Sequence, residues 1–78
     1  MDRDYGNARY KSRFVSDNRQ GFAGLELNCK CGSEQACVAR LLYWDSCGRF
    51  YFETFSSQIP LEIVEELISE AKSKIKTA

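Results

Sequence analysis

Cys29, Cys31, Cys37 and Cys47 are the residues of this chain best equipped for chemistry, and no histidine accompanies them. A thiolate can act as nucleophile, redox group or metal ligand. Without histidine there is no Cys-His or Ser-His pair and no imidazole base. Zinc held by cysteines alone would be the remaining metal chemistry. The spacing opposes a four-ligand site. Cys37 opens one strand and Cys47 lies in the turn at its far end, which separates them by roughly 25 Å at about 3.3 Å per extended residue. Cys29, Cys31 and Cys37 could still meet and form the alternative zinc set. Whether they do depends on the turn after Cys31, because a one-residue slip in pairing swaps the faces of a strand. A disulfide between Cys31 and Cys37 is open on the same terms. The favoured expectation is that the thiols pack as small hydrophobes, with no metal and no cofactor. Cys47 sits between Asp45 and Arg49, whose charges oppose each other, so it is expected to be an ordinary surface cysteine.

Other reactive patterns are weaker. The glutamates cluster on what should be the wet side of a helix, and the surroundings of Gly24 and Gly48 match no phosphate-binding loop. The expectation is therefore a non-enzymatic protein. Arg9, Lys11 and Arg13 alternate along one strand face, with Arg3 and Arg19 nearby, and this makes weak nucleic-acid binding a further alternative. Against it, Tyr10 and Phe14 should point to the opposite side, so base-stacking rings and charges do not share a surface. Eleven basic and eleven acidic residues also cancel, leaving no net field to attract phosphates. The amino-terminal residues are charged and lack the apolar core of a signal peptide, and no window of about eighteen residues is apolar enough to span a bilayer. A cytoplasmic location with reduced thiols and no membrane association is expected.

The elements that must position these residues follow from periodicity. Residues 1–8 are polar and read as a flexible arm, leaving 9–78 as a single α+β domain. Residues 9–16 alternate as a half-buried strand, and Asp17-Asn18-Arg19-Gln20-Gly21 has turn chemistry. Leu25, Leu27, Cys29 and Cys31 alternate with Glu26, Asn28 and Lys30, giving the cleanest strand. From about Ala36 or Cys37 to Trp44 both faces are apolar: Cys37, Ala39, Leu41 and Tyr43 on one, Val38, Leu42 and Trp44 on the other. Asp45-Ser46-Cys47-Gly48 fits a bulged type I turn, which would set Trp44 opposite Phe50 and Tyr43 opposite Tyr51. A helix starting near Pro60, with Ser57 or Gln58 assisting its cap, carries Val64, Leu67, Ile68, Ala71 and Ile75 as one apolar stripe. Glu62, Glu65 and Glu66 come early in it and Lys72, Lys74 and Lys76 late, the order that suits the helix dipole.

These pieces predict an antiparallel β-meander of three to four strands with one C-terminal amphipathic helix packed on one face. One helix covers one face, yet the hairpin around Asp45–Gly48 has rings on both. The expected interaction surface is Leu41, Tyr43, Tyr51 and Phe55 on the uncovered side. A small interaction module that self-associates as a homodimer, or docks a protein partner, is the function this implies. The Trp-Asp-x-Cys-Gly turn and the helix segment are the most distinctive stretches, and neither carries a known chemistry.

Overall fold

The alternation that begins near Leu25 becomes the central strand of a five-stranded antiparallel sheet. In the computed structural model, which describes residues 1–55 and 58–75, the strands are β1 (Asp2–Tyr5), β2 (Ala8–Asp17), β3 (Phe22–Cys31), β4 (Glu34–Trp44) and β5 (Arg49–Thr54). They pair in sequence order, and helix α1 (Leu61–Lys74) follows. The meander and the C-terminal helix agree with expectation; the strand number is larger than the three to four expected.

The extra strand is β1, which replaces the loose arm expected over residues 1–8. Gly6, with φ of +62°, opens a two-residue turn that brings Tyr5 opposite Ala8. The Arg9 guanidinium then donates to both Asp2 carboxylate oxygens at 2.7 and 2.8 Å. An exposed edge strand shows no apolar alternation, so its sequence resembles a tail.

Turn length sets which residues meet. At 18–21 and 45–48 the whole four-residue segment turns, with the Gly21 and Gly48 N–H groups donating to the Asp17 and Trp44 carbonyls at 2.8 Å. Gly48 takes φ of +64°, where a side chain would be strained. The bulged turn expected at Asp45–Gly48 is therefore not formed. Trp44 faces Arg49, Tyr43 faces Phe50 and Leu42 faces Tyr51, one residue away from the expected register.

The core lies between the sheet and α1. Tyr10, Leu25, Leu27, Ala39, Leu41 and Tyr43 contribute from the strands, and Ile63, Leu67, Ala71 and Ile75 from the helix end of the chain. Ile63 takes the place expected for Val64, which is half-buried together with Ile68. Pro60 occupies the N-cap, immediately before the helix rather than in its first turn, and makes no side-chain cap hydrogen bond. The Ile63 and Val64 N–H groups instead donate to the Pro60 carbonyl at 3.0 and 3.2 Å. The expected roles of Ser57 and Lys76 fall outside the described residues.

Candidate interaction surface

Helix α1 packs on β3 and β4. Its acidic side leans toward the first strands, where Arg3 donates to Glu66 at 3.0 Å and Ser12 to Glu70 at 2.7 Å. The β5 side of the same face is left partly open. A groove of about 160 Å³ runs there, lined by Leu41, Phe50, Tyr51, Phe52, Ile68 and Lys72.

The four residues expected to form one surface divide between the two faces. Leu41 and Tyr43 are buried beneath the helix, and Tyr43 packs on Phe50 with ring centroids 5.1 Å apart. Tyr51 and Phe55 are 52% and 54% exposed on the opposite face. The four-residue turn causes this division by pairing Tyr51 with Leu42 rather than Tyr43. Sequence reasoning missed the apolar residues that share the open face with Tyr51: Leu42 opposite it on β4, and further along the sheet Trp44 and Phe22. The Phe22 and Trp44 rings lie 5.0 Å apart at 53°. Leu42 is nearly buried without help from the helix, because it lies against Gly24, which presents no side chain. A glycine inside a strand is the sequence signal that could have located this contact.

The rest of the open face is charged and in part internally paired. Arg13 donates to Glu26 at 3.0 Å and Arg40 to Glu53 at 2.6 Å, forming a ladder across β2 to β5. The Arg40 guanidinium also lies 5.4 Å from the centre of the Phe55 ring. Arg9 is held by Asp2, and its hydrogen bonds keep the Asp2 carboxyl below the usual carboxylate range. The expected basic stripe does share one face, and Tyr10 and Phe14 do lie on the other. Across β2 to β4 this stripe opens into a shallow depression of about 230 Å³, lined by Arg9, Lys11, Asn28, Lys30 and Gln35.

The cysteines do not converge. A two-residue turn pairs Cys31 with Glu34, and a bulge at Val38 then places Cys37 opposite Asn28 on the open face. Cys29 and Cys31 belong to the other face, so the alternative zinc set and the 31–37 disulfide both lose their geometry. Among the described residues no group of three cysteine, aspartate or glutamate side chains is placed to hold a metal ion. Burial pushes the Cys37 thiol up from its ordinary pKa. Cys31 and Cys47 are exposed, and the Cys47 Sγ lies 3.6 Å from the Tyr51 hydroxyl.

No helix among the described residues is long and apolar enough to cross a membrane. No protein-family model, no curated protein and no solved structure matches this chain.

Proposed function

We propose that this chain is a non-enzymatic protein-interaction module that docks another polypeptide through the apolar corner of its open sheet face. The observation that carries this is the grouping of Phe22, Leu42, Trp44, Tyr51 and Phe55 on β3 to β5 and just beyond, on the face away from α1. Rings of this kind, rimmed by paired charges, suit association with a complementary apolar surface. A nucleic acid is a poorer fit. Arg9, Arg13 and Arg40 already hold carboxylates, so a phosphate backbone would have to displace them. Four unpaired thiols fit a reducing compartment, and a cytoplasmic location goes with the proposal.

A photoreactive phenylalanine analogue at Tyr51 or at Phe55 tests it in cells producing the chain, with the same analogue at Phe14 as control. Phe14 is equally exposed but lies on the helix side. Discrete protein adducts from the first two positions, identified by mass and weakened by Trp44→Ser, are expected. Adducts that nuclease removes would replace the proposal with nucleic-acid binding. The same adduct pattern from Phe14, or none from the open face, would end it.

A further inference from the structure

The two edges of the sheet differ in kind. Strand β1 carries Asp2, Arg3 and Asp4, and charges along an edge discourage pairing with another chain. Strand β5 reads Arg49-Phe50-Tyr51-Phe52-Glu53-Thr54, and Phe52 is 44% exposed. The Phe55 N–H donates to the Val38 carbonyl at 2.8 Å. Backbone direction alternates along a strand, so the polar groups of Arg49, Tyr51 and Glu53 face β4. Those of Phe50, Phe52 and Thr54 point outward, and among the described residues no strand receives them. This is an open hydrogen-bonding edge flanked by rings.

Its sequence is self-complementary. With a two-fold axis through Tyr51, an antiparallel second copy sets Phe50 opposite Phe52, Phe52 opposite Phe50, and Tyr51 opposite itself. Arg49 then meets Glu53 at both ends, on the same face as Tyr51. Arg49 has no ion-pair partner among the described residues, whereas Glu53 already accepts from Arg40 and would lie between two guanidiniums. The outward-facing residues Phe50 and Phe52 are also the ones this register needs for hydrogen bonding. Pairing across such an axis keeps both helices on one side of the joined sheet. The two grooves between β5 and α1 therefore merge, and Phe50, Phe52 and Ile68 of both copies line one apolar channel.

We infer that, besides docking a polypeptide on its open face, the chain pairs with a second copy of itself, joined through β5 to β5 as a continuous ten-stranded sheet. The inference goes beyond the interaction reading above, because it uses the strand edge rather than the open-face rings. A dimer of this kind supplies a small core with additional buried apolar surface. It also closes the more vulnerable edge.

The tests separate the edge from the face. Light scattering coupled to size exclusion is expected to give twice the 8.9 kDa chain mass at tens of micromolar. Phe52→Pro removes an N–H that points outward, not one that bonds β4, so the monomer fold survives and the dissociation constant rises about 100-fold or more. Circular dichroism checks that the strands remain. As a gain of signal, Tyr51→Cys in a Cys31→Ser, Cys47→Ser background places two thiols across the axis at disulfide distance, about 4.5 Å between Cα atoms. It should cross-link under mild oxidation, while Glu53→Cys in that background should not. A monomer at tens of micromolar overturns the inference, as does equal cross-linking of both variants or none. A dimer that tolerates Phe52→Pro but dissociates with Trp44→Ser would overturn the edge and keep the open face as the docking surface.

Discussion

Replacing Glu70 by glutamine should destabilise the protein at neutral pH and progressively less in acid. The carboxylate accepts hydrogen bonds from Lys74 at 2.8 Å, from Ser12 at 2.7 Å and from the Met1 ammonium at 3.1 Å, and its side chain is 12% exposed. Burial alone would raise its pKa. The donors from Lys74, Ser12 and the ammonium outweigh that and hold it at about 2, against an ordinary 4.5. A depression of that size corresponds to about 3 kcal/mol as an upper limit. Solvent and salt reach the cluster at its Lys74 end, which reduces the expectation to about 1–2 kcal/mol. The depressed pKa means the stabilisation is complete above the unfolded value and is lost as pH falls from 4.5 towards 2. Glutamine keeps one acceptor but turns an N–H₂ towards donors, so it forfeits this term at every pH. Urea unfolding followed through Trp44, the chain's only tryptophan and packed on Phe22, measures both proteins. The gap between wild type and Glu70→Gln should be largest near pH 7 and shrink in acid. Asp2 also resists protonation, through Arg9, but it does so in both proteins and cancels in the comparison. A gap that stays constant with pH, or is absent at pH 7, would refute the ion-cluster account.

Gly24→Ala should cost about 2–3 kcal/mol in the same assay, because the added methyl would sit 2.7 Å from Leu42 Cδ2 and 2.9 Å from its Cα and would also strike the Leu41 carbonyl; an unchanged midpoint would show that β4 can move aside. Gly48→Ala should cost about 1–2 kcal/mol by forcing a side chain into the left-handed region, and a smaller effect than at Gly24 is expected. In timed alkylation read by mass spectrometry, Cys31 and Cys47 should react before Cys37, whose thiol is shielded and raised in pKa; Cys37 modified as fast as Cys31 would contradict that shielding.

How much of this was legible in the sequence depends on the strand. β3 declared itself, because Leu25 and Leu27 alternate cleanly with Gly24, Glu26 and Asn28, and its pairing with β4 fixes which side of β4 is core. β4 alone could not choose, since Leu41 and Tyr43 on one face are no more apolar than Leu42 and Trp44 on the other. The face reading of Ala39, Leu41 and Tyr43 as one set was right, but it placed Cys37 with them, and the extra residue at Val38 breaks that alternation. Two turn geometries were compatible with Asp45-Ser46-Cys47-Gly48, both ending in a left-handed glycine. They differ by one residue, which is enough to exchange Tyr43 for Leu42 as the neighbour of Tyr51.

The information that decides which face of β4 is core lies outside the hairpin, on β3 around Gly24. Leu25 opposite Leu41 and Leu27 opposite Ala39 commit Leu41 and Tyr43 to the helix side, and Leu42 must then emerge on the open face. An exposed leucine there would be costly, yet Leu42 is only 8% exposed because the missing side chain of Gly24 leaves a place for it on the sheet itself. The apolar residues left over by a single helix therefore have two different fates. Leu42 is absorbed by the gap at Gly24 and Trp44 is partly sheltered by Phe22. Tyr51 and Phe52 lie on the last strand, one on each face, and among the described residues that strand has a neighbour on the β4 side only. They stay 52% and 44% exposed, and they are the rings that a second chain would shield under the proposals above.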